Sequence, residues 1–186
     1  MIILASKSPR RKEILDEFIT DYKIITEKTK ETIDLEKSPI VNCMSLAFEK
    51  AIAVAINYPM HYTIGADTIV INKGKILGKP KDYDDAYNML TSLSDNKHKV
   101  ITAFAIVNLE KNIKIIDYDV SKVRFKKIDK KDLERYLKTN EPYDKAGSYA
   151  IQGEASKFVA NIEGSYKNII GFPVEKFMMY YEKLCI

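Results

Sequence analysis

Ser8-Pro9-Arg10-Arg11 combines a helix start with a set of anion donors. Pro suits the first helical position, where its missing N–H costs nothing, and Ser8 before it is a good N-cap. The free N–H groups and the positive dipole end of a helix start attract anions. Arginines there add forked donors that match phosphate geometry. Asp67 lies inside the apolar run Ile64-Gly65-Ala66-Asp67-Thr68-Ile69-Val70, where a carboxylate is expensive unless it is paired or binds a metal. Lys50 interrupts an apolar helical stretch, Lys79 sits in a rigid Gly-Lys-Pro turn, and Gln152-Gly153 follows an apolar segment. Each feature also has a plain structural reading: a capped surface helix, an Asp bonded to backbone N–H groups, a snorkelling lysine, an exposed turn lysine, an ordinary turn. Together they supply several cations, a carboxylate for metal or water, and an amide for reading a ligand edge. These are the parts a metal-dependent phosphate hydrolase needs.

The elements that must position them alternate. Ile2 to Ala5 reads as a buried strand, followed by the helix from Pro9, a strand at Tyr22 to Thr26 and a polar loop from Lys28 to Ser38. Val41 to Ile56 reads as a mostly buried helix that Asn57-Tyr58-Pro59 ends, because the residue before Pro avoids the helical region. The strand from Ile64 turns at Lys73-Gly74 and returns through Lys75 to Gly78. A two-residue turn sets Thr68 opposite Lys79 and Asp67 opposite Pro80, at the open end of the hairpin. Asp84 to Leu93 is a helix, Val100 to Leu109 a long apolar strand, and Ile113 to Phe125 one or two more. Asp129 caps a helix to about Lys138. Ala146 to Ile151 and Phe158 to Ile162 read as short strands around the Gln152 to Ser156 loop, and Gly171-Phe172-Pro173 opens the last helix. Interleaved strands and helices argue for α/β, and long middle strands joined by short turns make the sheet mixed.

Composition bounds the function classes. The 186 residues suffice for one large domain or two small lobes, and 46% of them are hydrophobic. The net charge of +4, from 30 basic and 26 acidic residues spread along the chain, permits a polyanionic ligand but gives no nucleic-acid footprint. No apolar run is long enough for a bilayer, and the basic residues Lys7, Arg10 and Arg11 follow the first apolar run instead of preceding it, unlike a signal peptide. Cytoplasm is the expected compartment. Cys43 and Cys185 form no metal-type pair and read as structural.

The segments SKSPRRKEIL, IGADTIV, LGKP, EPYDKAGSYAIQG and GSYKNIIGFP, in this order and at these separations, resemble the Maf family over essentially the whole chain. The resemblance implies a single Maf-type α/β domain over residues 1–186. It would have a mixed, elongated central sheet flanked by helices and two lobes with a ligand cleft between them, as in inosine triphosphate pyrophosphatases. It implies a nucleoside triphosphate pyrophosphatase that uses a divalent metal, Mg²⁺ or Mn²⁺. Asp67 matches the family's proposed catalytic acid–base. Ser8, Arg10, Arg11, Lys50 and Lys79 match polar cleft positions, and Glu31 matches an acidic position that could join Asp67 as a metal ligand. Whether Asp67 holds the metal or takes a proton from water stays open at this level.

Ala66-Asp67-Thr68 and Gln152-Gly153 look like the dTTP/UTP subgroup, whereas the 7-methyl-GTP subgroup differs at those points. Thr68 and Gln152 are thereby implied in contacts to the base or its neighbouring phosphate or sugar. Ser148 and Ala150 around Tyr149, and Glu154-Ala155-Ser156 in place of a Gly-containing loop, depart from the family pattern and bear on substrate range. The expected ligand is a nucleoside triphosphate, with no membrane and no stable nucleic-acid partner, and a homodimer is allowed. The biological setting suggested is house-cleaning or cell division. The rival classes are a non-enzymatic nucleotide- or nucleic-acid-binding regulator of septation, and a pyrophosphatase selective for inosine or xanthosine triphosphate.

Overall fold

The structure, a computed structural model, describes residues 1–184; Cys185 lies outside the described residues. Strands and helices interleave from β1 (Ile2–Leu4), α1 (Pro9–Asp16), β2 (Tyr22–Ile24) and α2 (Pro39–Ala55) to β3 (Tyr62–Asn72), β4 (Lys75–Leu77) and α3 (Tyr83–Leu93). They continue through β5 (Lys97–Asn108), β6 (Ile113–Phe125), α4 (Lys130–Leu137), β7 (Val159–Glu163), α5 (Tyr166–Ile170) and α6 (Val174–Leu184). The strand order is β2-β1-β3-β5-β6-β7, with β4 paired to β3. β1 runs parallel to β2 and β3, whereas β3–β4 and β6–β7 are antiparallel, so the fold is α/β with a mixed sheet. The chain forms two compact units, and β3, β5 and β6 each give residues to both.

The first unit comprises residues 1–68, 102–119 and 171–186. β1 is buried at every position, as a parallel strand covered on both faces must be. Ser38 caps α2 by accepting from the Val41 N–H, with Pro39 in the first turn. The buried face of α2 is rich in alanine (Ala47, Ala51, Ala55), and α2 lies very close to β3. A Cβ on Gly65 would overlap the Ala47 carbonyl and lie 2.7 Å from the Ala51 nitrogen, so only glycine permits this approach. Phe104, Phe172 and Phe177, all fully buried, pack ring to ring at centroid distances of 5.2–6.4 Å. Each such side chain contributes about 1.5–3 kcal/mol of burial.

The second unit comprises residues 69–101 and 120–170. Its core holds Leu90, Leu93, Phe125, Tyr136 and Phe158. Asp82 caps α3 by accepting from Asp85 N–H, and Asp129 caps α4 by accepting from Lys131 N–H. The β3–β4 ladder pairs Val70 with Leu77 and Asn72 with Lys75, the register expected from a Lys73-Gly74 turn. Its pairing stops at Leu77, short of Lys79 and Pro80.

Several elements differ from the sequence reading. Residues 146–151 are not a strand: Ala146–Ser148 is a 3-10 turn, with Gly147 at φ 69° and Ser148 at φ 62°. Consecutive left-handed residues break an extended chain. The Gln152 loop runs into a second 3-10 turn, Glu154–Phe158, and α5 forms where no helix was expected. β2 ends at Ile24, and Ile113–Phe125 is one strand. Ser8 occupies the N-cap of α1 but makes no side-chain cap; its own N–H donates to Ser6 Oγ at 3.3 Å.

Candidate active site

In the first unit, Asp67 is buried on β3, with 7% of its surface exposed. Lys50 Nζ donates to its Oδ1 at 2.6 Å and lies 2.9 Å from Glu31 Oε1. Alternation along a strand puts Gly65 and Asp67 on the same face. The close approach that Gly65 permits to Ala47 and Ala51 therefore sets Lys50 over Asp67. Lys50 is not a snorkelling lysine: its ammonium lies between two carboxylates, one buried and one exposed. The Cys43 thiol donates to the Asp67 carbonyl at 3.3 Å, and burial, helped by Asp67, pushes this thiol up to about 12. Cys43 is thus a neutral, unreactive neighbour.

Thr68 faces the other way. Its Oγ1 accepts from Arg11 Nη2 at 3.2 Å and lies 3.0 Å from Thr102 Oγ1. Arg11 also donates through Nε to the Gly171 carbonyl at 2.9 Å and through Nη1 to Ser6 Oγ at 3.2 Å. Three of its five N–H donors are thus directed into the protein. Burial pulls its pKa below the usual arginine value, against an opposing pull from Asp67. Arg11 therefore ties α1 to Thr68 and to Gly171. This is a structural task that its place in an anion-binding signature did not reveal. Gly171, at φ 130°, takes a conformation that suits glycine. Ser8 and Arg10 stand half-buried at the start of α1.

Lys79 and Gln152 belong to the second unit. Lys79 is exposed between Gly78 and the buried Pro80, and the Gly78 carbonyl accepts from Gly147 N–H at 3.0 Å. Gln152 is exposed on a turn closed by Gly153 N–H to the Ala150 carbonyl at 3.2 Å. Behind this turn, His98 and Tyr149 are both buried, with His98 Nε2 2.7 Å from the tyrosine oxygen. Burial pushes His98 down to about 4 and raises the Tyr149 phenol above its usual value, so both are neutral near pH 7. The sequence reading gave no role to Ser6, Thr102 or His98, and read Gly171 only as the opening of the last helix. Thr102, Gly171 and His98 act through contacts between distant segments, whereas Ser6 meets Ser8 and Arg11 within its own stretch of chain.

Among the described residues, no group of three or more His, Cys, Asp and Glu side chains is arranged to hold a metal. Asp67 and Glu31 nevertheless both aim an oxygen at one point, now taken by the Lys50 ammonium. Two carboxylates completed by phosphate oxygens and waters are a usual setting for Mg²⁺, so this donor set fits a hard divalent cation.

The Maf family model, described as Maf-like protein, matches residues 1–184. The chain belongs to the Maf family. Its relatives include the dTTP/UTP pyrophosphatase of Clostridioides difficile (strain 630), 47% identical over 94% of this chain and 90% of that protein. The dTTP/UTP pyrophosphatase of Ruminiclostridium cellulolyticum is 41% identical over 98% of this chain and 95% of that protein. Among solved structures, the Staphylococcus aureus Ham1 protein aligns with a TM-score of 0.48 and 14% identity, over 67% of this chain and 71% of that one. None of the described helices is long and apolar enough to cross a membrane.

Proposed function

We propose that this Maf protein is a nucleoside triphosphate pyrophosphatase acting on dTTP and UTP in the cytoplasm, releasing the nucleoside monophosphate and pyrophosphate. The observation that carries the reading is the buried Asp67 carboxylate held by Lys50, with Glu31 on the same ammonium. The similarity to dTTP/UTP pyrophosphatases over nearly the full length supports the substrate class. A protein that only bound nucleotide would have no need of a buried carboxylate among its cations unless a metal sat on it, because a bare carboxylate repels phosphates.

A triphosphate repels nucleophiles until cations neutralise it. Arg10, Lys79 and the start of α1 supply positive charge, and Arg11 adds its charge while bracing Thr68. A divalent cation on Asp67 and Glu31 would take the place now held by the Lys50 ammonium and supply further charge neutralisation. Asp67 orients water and accepts its proton. One water is consumed, the anhydride bond between the α and β phosphates breaks, and its electron pair leaves with pyrophosphate. Until such a cation enters, Lys50 holds the Asp67 carboxylate in place. Gln152 offers a donor and an acceptor together, the pattern that meets a uracil or thymine edge.

The test is a panel of nucleoside triphosphates with products resolved, with and without chelator. Pyrophosphate and monophosphate from dTTP and UTP, lost on chelation, are expected. Inorganic phosphate as first product, or no turnover with any nucleotide, refutes the reading.

A further inference from the structure

The Gln152 turn rests on Glu141, the first residue of the EPYDKAGSYAIQG segment, to which the sequence assigns no role. Glu141 stands in a 3-10 turn (Glu141–Asp144) just after α4. Its Oε2 accepts from the Glu154 N–H at 2.9 Å. Its Oε1 accepts from the Ala155 N–H at 3.5 Å and from the Tyr136 hydroxyl at 3.0 Å. Tyr136 is fully buried, and its oxygen also lies 3.2 Å from the Ser148 carbonyl. Burial and the Glu141 carboxylate push the Tyr136 phenol above its usual value, so it stays a donor. The Glu141 backbone is fixed as well, its N–H on Thr139 Oγ1 at 3.3 Å and its carbonyl accepting from Lys145 Nζ at 2.9 Å.

The carboxylate also presses on Gly153 itself. A Cβ at Gly153 would overlap both Glu141 carboxylate oxygens. The φ of Gly153 is −97°, which other residues adopt, so glycine is required here for space and not for conformation. Glu141 thus grips the backbone on the C-terminal side of Gln152, while the single Tyr136 O–H is shared between the same carboxylate and the Ser148 carbonyl on the N-terminal side. Bonds from backbone N–H groups to a carboxylate are charge-assisted and stronger than neutral ones. Gln152, exposed between these two anchors, gains a fixed origin for its amide.

We propose that Glu141 is a specificity-positioning residue, whose carboxylate fixes the turn from which Gln152 meets the pyrimidine edge. This rests on the proposed base reading by Gln152. It makes selectivity depend on a residue that touches no substrate.

The experiment measures kcat/KM for dTTP, UTP and GTP in Gln152→Ala, Glu141→Gln, Gly153→Ala and the Gln152→Ala/Glu141→Gln pair. Glu141→Gln keeps the size but loses the charge and turns an NH₂ toward one of the donors. Gly153→Ala keeps the charge but displaces the carboxylate, at the flexible end of its side chain, so it tests the clamp even where Glu141→Gln folds poorly. Each is expected to lower kcat/KM for dTTP and UTP about tenfold and for GTP less than about threefold, narrowing the preference. In the Gln152→Ala background, Glu141→Gln should narrow it no further, because the effects pass through one residue. If Gln152→Ala narrows the preference while neither Glu141→Gln nor Gly153→Ala does, or both weaken all nucleotides equally, the Glu141 assignment alone is overturned. The same holds if the double variant is additive. If Gln152→Ala leaves the preference intact, base reading by Gln152 is refuted, and the Glu141 role falls with it.

Discussion

Mild acid should weaken this protein through His98. Its imidazole is 2% exposed and packs edge-on against Phe125 and Tyr149. Burial lowers its pKa from 6.5 to about 4. Above the ordinary value both folded and unfolded chains hold it neutral, so it contributes no pH dependence. As pH falls from there toward about 4, the unfolded chain takes up a proton that the folded chain refuses, and stability drops. The loss is complete below the folded value. A shift of about 2.5 units corresponds to roughly 3.4 kcal/mol, of which about 2.6 kcal/mol is gone by about pH 4.5. That is a large share of the roughly 5–15 kcal/mol typical of a whole domain. Carboxylates held low in the fold, such as Asp117 with its Tyr118 N–H, Tyr180 and Lys176 partners, lose stability in the same direction. The comparison is therefore between the parent and His98→Gln, which keeps a polar group toward Tyr149 but cannot titrate. Urea melts at about pH 7.5 and about pH 4.5 should show a drop smaller by about 2–3 kcal/mol in the variant. Equal drops in the two proteins would refute the reasoning.

Two further outcomes test the first unit. Asp67→Asn keeps the size but loses charge and basicity; kcat should fall at least about 10²-fold with an unchanged circular dichroism spectrum, and near-normal turnover would show the role misassigned. Gly65→Ala drives a methyl into the Ala47 carbonyl, so α2 must move off β3. A loss of about 1–3 kcal/mol in a urea melt is expected, together with reduced turnover as Lys50 shifts from Asp67; full stability would mean the contact relaxes freely.

The sequence was most legible where one signal decides one outcome. Buried β1 at Ile2–Leu4, the Lys73-Gly74 turn with its register and the Asp129 cap follow from local pattern and are found as read. The carboxylate in β3 was readable as costly, and its partner is Lys50, the charge that interrupts α2. What failed was set by tertiary context. Ser148 takes a left-handed conformation inside an apolar stretch that otherwise reads as a strand. Ser8 has the right type and place for a cap, but its N–H and the Arg11 fork both converge on Ser6. Arg11 reads as a phosphate donor from its place at a basic helix start, and its structural task is the part that place does not show. Its hydrogen-bond partners Thr68 and Gly171 lie 57 and 160 residues away.

The bond from Arg11 to Gly171 also orders events at the ribosome. Its two ends are separated by 160 residues, and the aromatic cluster of Phe104, Phe172 and Phe177 likewise waits for the last stretch of chain. At roughly 5–20 residues per second, the arginine is added to the chain about 8–32 s before its carbonyl acceptor exists. Throughout that interval the Arg11 Nε–H lacks its Gly171 acceptor, and Phe104 lacks the Phe172 and Phe177 rings that pack on it. The second unit is encoded within residues 69–170, inside the gap, so all of its segments are available before the first unit can close. Translation thus delivers the parts around Gln152 complete, and those around Asp67 last.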